Sequence, residues 1–346
     1  MSDQAQGLRT LADQVRTDHD GASFENKAPS IPTSQSVRPR PRSGSAFSES
    51  PVEVAFAVAD ARMHGRQSRP VPRSRARVLA VTSGKGGVGK SNFSTNLAIT
   101  LGLRGKRVIL FDADVGLANA HILLGASPTF TLEHVMHGAK TMPEVLHTAA
   151  QNVQLIGGGS GITEMAGLSD ECRAAFLSEL RELDAACDLI VIDTGAGVEN
   201  NVLAFLCAVN EIVVVTTPEP TAIANAYATI KVVSQENPGV RLMLVVNMVK
   251  SSGEGALVAE RLSTITRQFL NLEVEYVGCI PIDPAVPNAV RTRTPFVSKS
   301  PGCAASAGIN QIIRRLGYGQ SCAAPLSGAE GFVTRMQRFF RSRSTA

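Results

Sequence analysis

The chain is 346 residues long, 44% apolar, free of tryptophan and +4 in formal charge. That length buries a substantial core in one large domain or two small ones. No apolar run approaches a membrane span and no charged or apolar leader opens the sequence, so a cytoplasmic protein is expected rather than a secreted or membrane-spanning one.

Residues 1–18 carry Ala5, Leu8, Leu11 and Val15 at three-and-four spacing, one apolar face of a short helix, with Asp3 where negative charge favours the helix dipole. Such a helix is marginal alone in water, so it folds onto a partner or packs on its own domain. Residues 19–76 differ in kind. They are rich in Pro, Ser and Arg, and Pro29 to Arg77 sets nine arginines against three acids, whereas Val78 to Glu330 holds 18 basic and 22 acidic residues. Too little apolar periodicity is present to offset the entropy of ordering, which predicts a flexible tether. No aromatics interleave with its arginines, so a solvated linker is expected rather than direct nucleic-acid binding.

From Val78 onward short apolar runs alternate with helical patterns. Strands are expected over 78–82, 107–112, 153–156, 189–193, 211–216, 241–247 and 275–280, and helices over 93–103, 169–186, 222–236, 254–270 and 304–315. Nearly continuous apolar strands between helices predict an α/β fold with a mainly parallel, doubly wound sheet covered on both faces. Ligands bind such folds outside the carboxyl ends of the strands. Six cysteines, Cys172, Cys187, Cys207, Cys279, Cys303 and Cys322, are scattered without a C-x-x-C pair, which reads as core thiols before disulfides or metal ligands.

Gly84 to Ser91, between the first strand and the first of these helices, fits G-x-x-x-x-G-K-[ST], the phosphate loop of P-loop NTPases. Its glycines let backbone N–H groups approach phosphates, and the helix N-terminus adds partial positive charge. Lys90 is placed to reach the β- and γ-phosphates and Ser91 to hold Mg²⁺. Asp193, ending an apolar strand before Thr194-Gly195-Ala196-Gly197, has the form of a Walker B aspartate. Asp112 and Asp114 supply a second carboxylate pair, one near the metal and one to orient water, since phosphoryl transfer needs mainly positioning and charge stabilisation.

Lys85 departs from a plain phosphate loop. With it, Lys85-Gly86-Gly87-Val88-Gly89-Lys90-Ser91 resembles the MinD/ParA family of deviant Walker A ATPases, whose loop reads K-G-G-x-G-K-[ST], and the resemblance covers residues 77–316. It implies ATP and Mg²⁺ as cofactors, slow hydrolysis, and an ATP-dependent homodimer in which Lys85 reaches the partner's nucleotide. By matching positions, Lys90 is the phosphate lysine in a loop of Gly84, Gly86, Gly87, Val88, Gly89 and Asn92. Ser91, Asp112 and Asp193 serve the metal, Asp114 orients water, and Asn247, Pro281 and Asp283 meet adenine.

Within the family, Asp112-Ala113-Asp114-Val115-Gly116-Leu117-Ala118-Asn119 and Thr216-Thr217-Pro218-Glu219-Pro220-Thr221-Ala222-Ile223 look like the MinD-like branch that governs flagellar number and placement. Asp3, Gln4, Ala5, Leu8 and Arg9 are similar to the short motif by which that branch stimulates a flagellar signal-recognition-particle-type GTPase. Flagellar basal-body proteins and a flagellar transcription regulator are further implied partners. The long linker and Ser91-Asn92, in place of the commoner Thr-Thr pair, depart from the pattern; the serine keeps the hydroxyl that magnesium needs. A division-site or chromosome-partition ATPase is the alternative within the fold. An iron–sulfur carrier would need paired cysteines at a dimer interface, and Cys207 has no matching neighbour in sequence.

After a loose segment, 317–328, the C-terminal stretch 329–346 places Phe332, Val333, Met336, Phe339 and Phe340 within about a third of a helical circumference at about 100° per residue, with Arg335, Arg338 and Arg341 opposite. Apolar aromatics facing away from arginines describe a helix for an anionic membrane surface, reversibly peripheral at the inner face of the cytoplasmic membrane. The alternative is a helix docked on the protein's own core.

Overall fold

The computed structural model describes residues 76–114, 118–158, 170–318 and 328–344. The N-terminal motif of Asp3, Gln4, Ala5, Leu8 and Arg9, and the linker up to Arg75, lie outside them. The strands are β1 (Arg77–Ser83), β2 (Val108–Ala113), β3 (Leu146–Ala150), β4 (Val153–Ile156), β5 (Leu189–Ala196), β6 (Glu211–Thr216), β7 (Arg241–Val249) and β8 (Glu275–Pro281). They form one sheet in the order β3-β4-β2-β5-β1-β6-β7-β8. Neighbours pair parallel except β3, which runs antiparallel to β4 at the edge. β3 was not expected: Leu146-His147-Thr148-Ala149-Ala150 is only half-buried and has weak alternation, so pairing with β4 defines it more than its own pattern does.

The helices are α1 (Lys90–Leu103), α2 (Ala120–Leu124), α3 (Leu132–Met136), α4 (Met142–Val145), α5 (Asp170–Ala186), α6 (Asn200–Ala208), α7 (Pro220–Glu236), α8 (Ser252–Leu270), α9 (Ala285–Arg291), α10 (Phe296–Lys299), α11 (Ala304–Arg315) and α12 (Ala329–Ser344). Strand side chains alternate between two cores, as the double winding requires. Val78, Ala80, Ile190 and Ile192 enter one, packed under α5, α6, α7, α8 and α12. Leu79, Val81, Leu189 and Val191 enter the other, under α1, α9, α10 and α11.

The first residues of β1, β6, β7 and β8 form a ladder of alternating charge at the amino end of the sheet. Arg77 Nη2 lies 2.6 Å from Glu211 Oε1, Arg241 Nη1 3.0 Å from the same oxygen, and Arg241 Nη2 2.7 Å from Glu275 Oε2. Glu211 and Arg241 are register partners. A one-residue slip would send these side chains to the wrong face and break the rungs.

The C-terminal helix is where the structure departs most from expectation. The face expected to meet a membrane is packed on the protein's own core: Phe332, Val333, Met336 and Phe339 are buried, and Phe340 is partly so. Phe332 stacks on Phe205 of α6 with ring centroids 6.3 Å apart, and Phe205 meets Phe111 of β2 edge-on. Asp184 of α5 accepts from the N–H groups of Ala329 (2.7 Å) and Glu330 (3.0 Å), satisfying donors that a helix start leaves open. Arg335, expected on the polar side, donates from Nε to the carbonyl of Ala208 at the end of α6 (2.8 Å). Burial, then the charge of Arg338, lowers the pKa of its guanidinium.

This docking also explains α6. Every residue from Val202 to Ala208 is buried, so the helix has no polar face from which periodicity could be read. Phe332→Ala should remove one side of the aromatic stack at a cost of about 3 kcal/mol. Urea denaturation of the full chain measures the loss, and amide exchange over residues 329–344 locates it.

Candidate active site

β1 stands between β5 and β6, so the chain leaves its carboxyl end where strand order reverses. A cleft of about 670 Å³ opens there, with residues 86–92 along one wall. α1 begins at Lys90, directly after Gly89, and brings its open N–H groups and partial positive charge to that wall. Two glycines are sterically required. Gly89 sits at φ +87°, and a Cβ there would meet Asn247 Nδ2 at 2.3 Å; Gly84 lies outside the cleft, where a Cβ would meet the backbone of Asn225 in α7 at 2.2 Å.

Lys90 Nζ lies 2.9 Å from Asp193 Oδ1 and 3.9 Å from Asp114 Oδ2. The side chains of Asp193 and Lys90 are 0% and 7% exposed, so each charge depends on the other. Asp193 Oδ2 is buried and has no partner among the described residues, an oxygen left for a cation. With the Ser91 hydroxyl, next to Lys90 in the chain and on the cleft wall, this donor set fits Mg²⁺. Among the described residues no three His, Cys, Asp or Glu side chains form a metal cage. Mg²⁺ asks for none, because it keeps several waters and takes phosphate oxygens. When bound it would neutralise charge on the phosphates. Asp114 lines the cleft, its carboxylate close to Gly195, and from there it can orient a water.

Several expected contacts are placed otherwise. Asp112, assigned to the metal, has its oxygens engaged by backbone: Oδ2 accepts from Ala120 N (3.0 Å) and Oδ1 from Asp114 N (3.3 Å). Burial, then the nearby Asp193, pushes its carboxyl up to about 7. It ties the backbone of Asp114 to that of Ala120. Asn247, assigned to adenine, donates from Nδ2 to the carbonyl of Val88 (2.8 Å) and so buttresses the phosphate loop. Asp283 accepts from Ala285 N (2.9 Å) and Ala305 N (3.0 Å), joining the starts of α9 and α11, and those bonds lower the pKa of its carboxyl. Neither Asn247, Pro281 nor Asp283 lines the cleft; Ile122, Met248 and Val290 supply apolar surface there instead.

Met248 is a residue that sequence reasoning missed. It adopts φ +57°, a left-handed conformation that a long side chain seldom takes, and nothing in its neighbours announces it. Lys85 also lies outside the cleft, with Nζ 2.6 Å from Glu219 Oε2 and 3.3 Å from Thr221 Oγ1 at the start of α7.

A phosphate loop at the switch point of a parallel sheet, a helix N-terminus and a buried Walker B carboxylate together define a P-loop nucleoside triphosphatase. The chain belongs to the ParA/MinD family of P-loop ATPases: a ParA profile, described as NUBPL iron-transfer P-loop NTPase, matches residues 74–317. It is 36% identical to the antiactivator FleN of Pseudomonas aeruginosa, covering 75% of this chain and 92% of that protein. It is 35% identical to the flagellum site-determining protein YlxH of Helicobacter pylori, covering 77% and 92%. Its fold resembles the cell-division ATPase MinD of Pyrococcus furiosus, with a TM-score of 0.58 and 22% identity over 71% of this chain and 100% of the other.

Lys90→Met would leave Asp193 charged and unpaired in the interior. The nucleotide-free protein should lose about 3 kcal/mol, and Asp193→Asn added to it should recover most of the loss, as read by urea denaturation at pH 7.

Proposed function

We propose that this ATPase is a dimerisation-switched regulator of flagellar number and placement. In this reading it cycles between cytoplasm and the inner face of the cytoplasmic membrane and stimulates a flagellar signal-recognition-particle-type GTPase. The observation that carries the reading is the identity, 36% and 35% over 92% of each relative, to proteins named for flagellar control. The word antiactivator in one of those names supports a transcription regulator among the partners. The division-site alternative has weaker support: the septum site-determining protein MinD of Bacillus subtilis is 29% identical over 98% of its length, below the 36% of FleN. An iron-transfer role would need accessible thiolates. Cys187 and Cys207 are buried, and burial pushes the Cys187 thiol up to about 12, which keeps it protonated; Cys279 and Cys303 are half-buried.

Lys85 supports the dimer. Its bridge to Glu219 joins side chains 40% and 62% exposed. Such a pair contributes about 0–1 kcal/mol, so a partner's triphosphate can displace it. The docked α12 supports a cycle rather than constant membrane residence. Its four buried apolar side chains are each worth about 1.5–3 kcal/mol in place. Release therefore needs a comparable gain, which re-burying the same apolar face in a membrane surface would supply, and two helices presented together by a dimer add avidity to it. Among the described residues no helix is long and apolar enough to cross a membrane, which agrees with a surface mode.

Deleting residues 3–9 should change the number of flagella per cell while leaving ATP turnover by the purified protein intact; unchanged flagellation would count against the motif. Asp114→Ala should slow hydrolysis about 100-fold and accumulate an ATP-loaded dimer that sediments with anionic liposomes. Lys85→Ala should stay monomeric and remain in the supernatant in both ATP and ADP.

A further inference from the structure

We infer that Ser94 is a positioning residue for the metal-facing aspartate: its hydroxyl pins Asp193 Oδ1, so that Oδ2 is the oxygen turned to the cation. The inference rests on the reading of the cleft as a Mg²⁺–ATP site. Ser94 lies one turn into α1 and is fully buried. Its Oγ is 2.9 Å from Asp193 Oδ1 and 3.1 Å from the carbonyl of Lys90. A hydroxyl has one proton to give. The carboxylate is the closer acceptor and carries the charge, so it takes the stronger bond, and the carbonyl four residues back is the fallback.

Asp193 Oδ1 thus has two donors, Ser94 Oγ and Lys90 Nζ, both at 2.9 Å, while Oδ2 has none among the described residues. The two donors differ in permanence. Lys90 lies on the cleft wall and is the loop's phosphate-seeking cation, so an arriving triphosphate competes for it. Ser94 is away from the cleft lining and has no such competitor. Once Lys90 turns to phosphate, Ser94 is the group left to keep Oδ1 inward. A carboxylate torsion is broad, so without that bond the carboxylate plane can rock about χ2 and neither oxygen is held toward the cation. Ser91 does not substitute. Its Oγ is 3.5 Å from Lys90 Nζ, and among the described residues no bond joins it to Asp193.

The test is a titration of MgCl₂ into the full-length protein with the fluorescent analogue mant-ATP, repeated in EDTA. Ser94→Ala should raise the Mg²⁺ concentration for half-saturation about tenfold, the scale on which ligand-orienting groups act. Mant-ATP affinity in EDTA should be unchanged. Ser94→Thr should restore the Mg²⁺ response and Ser94→Val, which matches that threonine in shape but lacks the hydroxyl, should not, a comparison that stands if the alanine variant folds poorly. Half-saturation within twofold of wild type in the Ala and Val variants, or equal weakening with and without Mg²⁺, overturns the inference. Wild-type protein that binds no mant-ATP overturns the reading of the cleft, and the inference with it.

Discussion

The cleft is organised by one buried ion pair. Lys90 and Asp193 come from α1 and β5, more than a hundred residues apart in sequence, and meet at 2.9 Å where water scarcely reaches. A buried pair of this kind gives little net stability, because the desolvation of two charges consumes most of their attraction, but breaking it is expensive. The pair therefore acts as a constraint. It fixes the start of α1 against the end of β5, and with it the loop whose amides face the cleft. Ligand phosphates offer Lys90 another anion, and a cation offers Asp193 another partner. The charges are arranged to be handed over together.

Around that pair, contacts join the loop to the rest of the fold by backbone groups more than by side-chain bulk. Asn247 reaches from β7 to the carbonyl of Val88, Thr194 donates to the carbonyl of Val81 (3.0 Å), and Gly197 N donates to that of Ser83 (2.8 Å). Gly84 lets α7 approach the loop at its backbone. β5 continues through Gly197 into α6, and α6 carries Phe205, on which α12 is stacked. Thus β5 and α6 link the cleft to the C-terminal helix, the last step being the Phe205–Phe332 contact.

The parallel sheet, its doubly wound covering and the position of the phosphate loop were legible because each rests on local pattern: apolar β-branched runs, helical spacing, and a motif with its strand and helix in place. What was not legible depended on what lies opposite. α6 is apolar from Val202 to its end and gives no period. β3 has half-buried residues and becomes a strand through β4. α12 shows a strong apolar face, yet amphipathicity says only that the face is covered, and Phe205 and Asp184 decide by what. The same limit applies at the site. Lys90, Asp114 and Asp193 come together as their type and place predicted, whereas the backbone partners of Asp112 and Asn247 are specified by no motif.

The charge ladder at the other end of the sheet has a consequence for how such a chain can change over time. Arg77, Glu211, Arg241 and Glu275 hold alignment at the strands' first residues, while the chemistry sits past their last ones. Substitutions separated by the length of a strand act nearly independently. One border of the sheet can thus conserve architecture while the opposite border diversifies in loops and partners. A lineage could rewire what the ATPase controls without renegotiating how it folds.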